Sequence, residues 1–159
     1  MNIIDESGIL AISTRLTRLS EQLRKDGALI YKSYDIDFEP KWFAIIYTLH
    51  HKQVLGVVEL ASEIGYTHPS TISLLKELEK QKLIRSKKDK KDERKRLVQL
   101  TSKGEELIIR MQPVWQLMVS VFTEIMNTEN NLLKAITEVE EKLKQQGFLQ
   151  RALQLSASK

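Results

Sequence analysis

Apolar residues near the start of the chain recur at alternating spacings of three and four: Ile9, Ile12, Leu16, Leu19 and Leu23. That is a helical stripe, and it predicts one long helix over residues 1 to about 32, with Arg15, Arg18, Glu21 and Arg24 off the stripe. Such a stripe packs either on its own core or on a second subunit, and a long helix standing ahead of a compact motif favours the second. Residues 35–38 read as a linker. Pro40 then opens a helix through about His50, because proline's missing N–H costs nothing in a first turn. Trp42, Phe43, Ile45, Ile46 and Leu49 make that helix apolar nearly all round and predict its burial.

The period then shortens into two small amphipathic patterns. Leu60 and Ile64 share one face of the first, and Gly65 stops it by accepting a left-handed conformation. Thr67 can cap the second, which runs from His68 to about Lys82 with Pro69 in its first turn. Thr71, Leu75 and Leu78 lie within about 60° of one another on that helix, with Leu74 beside them. Pro69, Ser70, Ser73, Lys76, Glu77 and Lys80 fall opposite. Two short helices joined by a glycine turn, with a polar outer face, make a helix-turn-helix. Leu83–Ser86 and Leu97–Leu100 follow as short apolar runs that read as paired strands around a polar, basic loop, so the whole is a winged helix.

After the hairpin, Thr101 or Ser102 caps another helix to about Asn127, with Glu105 able to complete a capping box from Ser102. Leu107, Ile108, Val114, Leu117, Met118, Val121, Phe122 and Ile125 give it apolar surface on more than one face, which calls for two partners. A last helix carries Leu132, Leu133, Ile136, Val139 and Leu143 up to Gly147. Phe148, Leu149, Leu153 and Leu155 form a further packed segment before the 156–159 tail. The fold expected is mainly α. A winged helix-turn-helix with a small β-hairpin wing occupies residues 35–101, and helices over 1–34 and 102–159 form a dimerisation region.

Charge sharpens this picture. From Lys80 to Arg96 there are ten cations and three acids, a net +7, whereas all 159 residues carry only +4. The positive charge is therefore local, an electrostatic footprint for phosphates. With 42% hydrophobic residues and no long apolar run, the chain is expected to be soluble and without membrane contact. The N-terminus lacks a signal-peptide pattern, so a cytoplasmic location is expected. Zero cysteines exclude disulfides and thiolate metal sites. His50 and His51 diverge by about 100° on a helix and chelate one ion poorly, so no metal or cofactor is expected. Phosphate-loop, dinucleotide, zinc-protease and nucleophile-elbow motifs are all missing, and no enzymatic activity is expected.

Several of these stretches fall in a familiar order. Glu59-Leu60-Ala61 with Ile64-Gly65, Leu78-Glu79 with Leu83-Ile84, Asp92-Glu93-Arg94, and Leu100-Thr101-Ser102-Lys103-Gly104 resemble the MarR family (multiple antibiotic resistance regulators) of bacterial and archaeal transcription factors. The resemblance implies a homodimer on double-stranded DNA, reading a pseudo-palindromic operator. Recognition helix 68–82 would enter the major groove, and the arginine of wing 85–96 an adjacent minor groove. Ser70, Ile72, Ser73 and Lys76 are then candidates for the major groove, with His68 and Pro69 near the backbone. Arg94 would enter the minor groove, oriented by Asp92, while Lys87, Lys88, Lys90, Lys91, Lys95 and Arg96 add charge. Where the family often has a small apolar residue, then Ser or Thr, then Arg, this chain has Thr71, Ile72 and Ser73. A small-molecule effector would sit between the reading head and the dimer helices, near Tyr31, Tyr34, Trp42, Tyr47 and His51, residues that ordinary core packing would account for equally. The rival is a winged helix that binds protein, since fold does not fix function.

Overall fold

The N-terminal stripe forms two helices rather than one. In the computed structural model, which describes residues 1–158, α1 (Ile3–Glu6) is followed by a 3-10 turn over Gly8–Ala11 and then by α2 (Ile12–Ser33). The break falls at Gly8, whose φ of +59° lies in the left-handed region. Asp5 accepts a hydrogen bond from Arg18 at 2.6 Å, which folds the short helix against α2. Ile9, Ile12, Leu16 and Leu19 remain exposed on the single chain, and Leu23 is half-buried.

Pro40–Trp42 form a 3-10 turn that leads into α3 (Phe43–Lys52). Ile45, Ile46 and Leu49 of α3 are buried, as is Trp42, but Phe43 and Tyr47 are exposed, so burial is not all round as the composition suggested. Gln53, at φ +64°, ends α3, and β1 (Val54–Gly56) follows. This strand was not expected, because three residues are too few for an alternating pattern to show. The helix-turn-helix itself is α4 (Val57–Ile64) and α5 (His68–Lys80). Gly65 takes φ +70°, and the N–H groups of Gly65 and Tyr66 close back on Ser62 and Ala61 at 3.3 and 3.1 Å. Thr67 caps α5, accepting from the Ser70 N–H at 3.3 Å. The helix ends about two residues earlier than its composition predicted. Lys82 turns to φ +60°, and the Leu83 N–H reaches the Leu78 carbonyl at 3.0 Å.

The wing is β2 (Ile84–Lys88) and β3 (Arg96–Leu100), antiparallel with Ser86 opposite Val98. β1 adds to the other edge of β3, with Leu55 opposite Val98, giving the order β1-β3-β2. α6 (Ser102–Met126) begins at a tight junction with the end of α5. Thr101, rather than Ser102, is its cap. The Thr101 hydroxyl donates to the Lys82 carbonyl at 2.7 Å and accepts from the Gly104 N–H at 3.1 Å. Glu105 instead faces His50, at 3.6 Å.

Two compact units result, Met1–Val114 and Trp115–Lys159. The first has its core where Ile45, Ile46 and Leu49, Leu60, Thr71 and Leu78, Val98, and Ile108, Met111 and Val114 meet, all almost wholly buried. The second contains the end of α6 with α7 (Leu132–Gln145) and α8 (Phe148–Ala157). Asn131 caps α7 through the Lys134 N–H at 3.1 Å. Arg151 ties α8 to the carbonyls of Gln146 and Lys142 at 2.9 and 2.8 Å. Most of the expected 156–159 tail belongs to α8 or its cap, and Lys159 lies outside the described residues. Leu133, Val139, Leu143, Phe148, Leu149 and Leu153 are exposed, an apolar content that this unit does not bury by itself.

Candidate nucleic-acid interface

α5 is amphipathic, and its packing leaves one face outward. Thr71, Leu74, Leu75 and Leu78 are buried, while His68, Pro69, Ser70, Ser73 and Lys76 are exposed and Ile72 is half-buried. Among the described residues, Thr71 is the one buried polar or charged residue outside the aromatic core. Its hydroxyl is satisfied by the Thr67 carbonyl at 2.9 Å, which keeps the first turn closed. The Thr67 hydroxyl donates to Ser70 Oγ at 2.9 Å, so the Ser70 proton is left to point elsewhere. All six expected major-groove and backbone candidates thus lie on one helix, five fully exposed and Ile72 at the margin of the face.

Both glutamates of α5 are occupied at its flanks. Glu77 Oε2 accepts from Trp42 Nε1 at 2.9 Å and pairs with Lys41 Nζ at 2.7 Å. The Lys41 ammonium, then the indole N–H, hold the Glu77 carboxyl below its ordinary range. Glu79 Oε1 accepts from Ser86 Oγ and from Arg96 Nη2, both at 2.6 Å. Neither contact was foreseen from the sequence. Partners 35, 7 and 17 residues away leave no local pattern, and only Leu78-Glu79 within the family motif marked the position.

The wing tip is shaped by two aspartates. Asp89 accepts from the Lys91 N–H at 3.0 Å, and its own N–H reaches the Lys95 carbonyl at 2.9 Å. Asp92 accepts the Arg94 N–H at 3.1 Å and one edge of the guanidinium, Nε at 3.1 Å and Nη2 at 3.3 Å. Arg94 nevertheless keeps 91% of its side chain in solvent. The paired guanidinium keeps the Asp92 carboxyl below its ordinary range. Lys87 and Lys88 stand on β2 and Lys90, Lys91 and Lys95 in the turn, all exposed. Arg96 was expected among these outward cations. It is exposed as well, and its guanidinium spans Ser86 Oγ and Glu79, each at 2.6 Å.

Four of the five effector candidates divide between two aromatic rows. Tyr31 and Trp42 are buried on either side of Phe38, edge to face at 5.0 and 5.7 Å. Tyr47 and His51 continue a separate ladder along α3, with Phe43–Tyr47 at 5.0 Å and Tyr47–His51 at 4.5 Å. Tyr34 is exposed at the end of α2. No group of three or more metal-ligating side chains occurs among the described residues, and no described helix is long and apolar enough to cross a membrane.

Residues 39–95 match the sequence profile of the MarR family. That stretch is similar to the winged helix of the MarR family. The match covers α3 to the wing tip, including every expected DNA-facing residue except Arg96, and stops short of the terminal helices. Solved structures of the same fold extend the likeness to most of the chain. MosR of M. tuberculosis, solved in complex with DNA, is 17% identical with a TM-score of 0.70, over 83% of this chain and 95% of that one. MepR of S. aureus, also with DNA, is 18% identical with a TM-score of 0.67, over 84% and 96%. PcaV of Streptomyces coelicolor, with its natural ligand, is 15% identical with a TM-score of 0.63, over 85% and 95%. No protein of curated function matches the sequence.

Proposed function

We propose that this MarR-type chain is a homodimeric, ligand-responsive transcriptional regulator that reads a pseudo-palindromic duplex site. The observation that carries the reading is the wing tip, where one edge of Arg94 is held by both oxygens of Asp92 yet the side chain is almost wholly solvated. A structural ion pair has no need to present a guanidinium outward, whereas a narrow minor groove attracts a directed one. Beside it, Ser70, Ser73 and Lys76 present hydrogen-bonding groups suited to base edges or phosphate, and half-buried Ile72 an apolar edge suited to a thymine methyl. His68 and Pro69 lie at the helix start, where phosphate is favoured.

Dimerisation is supported by the apolar surfaces of residues 1–34 and 102–159. Ile9, Ile12 and Leu16 in one unit and Leu133, Val139 and Leu149 in the other stay exposed on one chain, and large exposed apolar residues in such number call for a partner. A pseudo-palindrome follows from two-fold symmetry. The effector is assigned to the aromatic rows around α3, the location to cytoplasm, and no catalytic role is assigned.

Selection of bound duplexes from a random pool, followed by titration across salt, tests the reading. A dimer offering two helices and two wings makes on the order of 6–10 phosphate contacts, so affinity should fall about 10³–10⁵ between 50 and 200 mM salt. Binding that is indifferent to salt, or none at low salt, would favour a protein-interaction module.

A further inference from the structure

We infer that Glu79, Ser86 and Arg96 form a brace that fixes the angle between the recognition helix and the wing, and that Arg96 is a positioning residue rather than a phosphate ligand. The inference rests on the duplex-binding reading above. The three side chains come from α5, β2 and β3, and they close a ring. Arg96 Nε donates to Ser86 Oγ, Ser86 Oγ donates to Glu79 Oε1, and Arg96 Nη2 donates to that same oxygen, each at 2.6 Å. The ring occupies one whole edge of the guanidinium plane, so the plane is fixed and not merely attracted.

The brace does little for stability. Arg96 keeps 49% of its side chain in solvent and Glu79 28%, and ion pairs so placed are weak contributors. What it controls is direction. α5 is set in the fold by Thr71, Leu75 and Leu78, all nearly fully buried, while the outer hairpin is solvated on both faces. Arg94 lies two residues beyond Arg96, about 7 Å along an extended chain. A hairpin rotation of about 10° at the brace moves that guanidinium by roughly 1 Å, enough to spoil a groove contact. The brace also keeps the Glu79 carboxylate turned to the flank and away from phosphates.

Arg96→Lys is the decisive variant, because it keeps the charge and loses the fork. The variants to compare on the selected duplex and on a version with swapped flanks are Arg96→Lys, Arg96→Ala, Glu79→Ala, Glu79→Ala with Arg96→Ala, and the milder Ser86→Ala. Circular dichroism and light scattering establish that each is folded and in the same assembly as the wild type. The brace predicts that Arg96→Lys, Arg96→Ala and Glu79→Ala each bind several-fold more weakly and lose flank discrimination together. The double variant should be no worse than the weaker single, and Ser86→Ala should shift the same way by less. The salt slope of Arg96→Ala should stay at the wild-type value. A phosphate ligand would instead lower that slope by about 0.9 per subunit, tolerate lysine, and bind more tightly once Glu79 is removed. Wild-type affinity in Arg96→Lys or tighter binding by Glu79→Ala overturns the brace while leaving the regulator reading intact. Should Glu79→Ala not fold, Arg96→Lys and Ser86→Ala decide the matter alone. Failure of the wild-type chain to bind any duplex overturns both.

Discussion

Gly104 sits where the first turn of α6 crosses the chain just after α5, and replacing it with alanine opposes two effects of opposite sign. In a helix interior, Gly→Ala ordinarily stabilises by about 0.5–1 kcal/mol through backbone entropy. Here a Cβ would stand 2.3 Å from the Leu83 carbonyl oxygen and 3.2 Å from Leu100 Cδ2, where ordinary contact begins at 3.4 Å. The nearest atom belongs to backbone, so α6 must move away by about 1 Å, an overpacking that typically costs about 1–3 kcal/mol. Moving it also strains the bond from the Thr101 N–H to that same carbonyl, 3.0 Å long, with a net worth of about 1 kcal/mol. The clash therefore wins, and Gly104→Ala should destabilise by roughly 1–3 kcal/mol. Urea unfolding at one fixed protein concentration reads this directly, since dimer stability depends on concentration. Stability at or above that of the wild type would mean that helix propensity governs the site. The glycine of the Leu-Thr-x-x-Gly stretch would then be no packing requirement.

Four further outcomes follow from particular contacts. Arg94→Ala should weaken duplex binding and relax preference for A·T-rich flanks without changing assembly, and Asp92→Ala should also weaken binding although it removes a negative charge near DNA; tighter binding by Asp92→Ala in a titration at fixed salt would reduce the wing to a charged loop. Thr71→Val keeps the shape but loses the 2.9 Å bond to the Thr67 carbonyl. Because that carbonyl still accepts the Thr71 N–H at 3.0 Å, the loss by urea unfolding should be modest, about 0.5–1.5 kcal/mol. The Glu77 carboxyl is depressed by Lys41 and Trp42, so its stabilising contribution is full above its ordinary value of 4.5 and fades as pH falls through the lower folded value; Glu77→Gln should flatten the pH dependence of the unfolding midpoint in that acid range. Removing residues 1–24 should leave a monomer or an aggregate with poor duplex binding, measured by light scattering and titration, and a dimeric, fully binding truncation would remove the N-terminal stripe from the interface.

What could be read from the sequence was whatever repeats at short range. Leu60 and Ile64, then Thr71, Leu75 and Leu78, announced both helices of the reading head because burial on a helix has a period that a few residues reveal. The two apolar runs beside the basic loop announced the hairpin, and Asp92 two residues before Arg94 is a contact local enough to infer. The misses share one cause, which is that their determinants are long-range or too short to be periodic. β1 is three residues held by pairing to β3. The exposure of Phe43 and Tyr47 depends on what packs against α3, which its even apolar composition cannot reveal. The break in the first helix turned on Gly8, an isolated glycine at φ +59°, past which Arg18 reaches back to Asp5 of α1. The pairing of Arg96 with Glu79 was not legible, because nothing near Arg96 in sequence names that partner.

For the duplex binding proposed above, these pairings separate the source of affinity from the source of direction. The charged side chains of α5 after its first turn are Lys76, Glu77, Glu79 and Lys80, which cancel, so the helix alone gives a phosphate backbone no net attraction. Folding does not alter that sum, but it decides where each sign points. Glu77 is drawn to Lys41 at one flank and Glu79 to Arg96 at the other, while Ser70, Ser73 and Lys76 face outward. Net positive charge then comes from the hairpin, where residues 87–95 carry six cations against three acids. Of those acids, Asp89 and Asp92 are engaged in shaping the turn. Wing lysines should accordingly be interchangeable, each lowering affinity for every duplex alike when removed. Substitutions on α5 should discriminate between duplexes, because only a fixed polar face with little net charge can prefer one pattern of base edges to another.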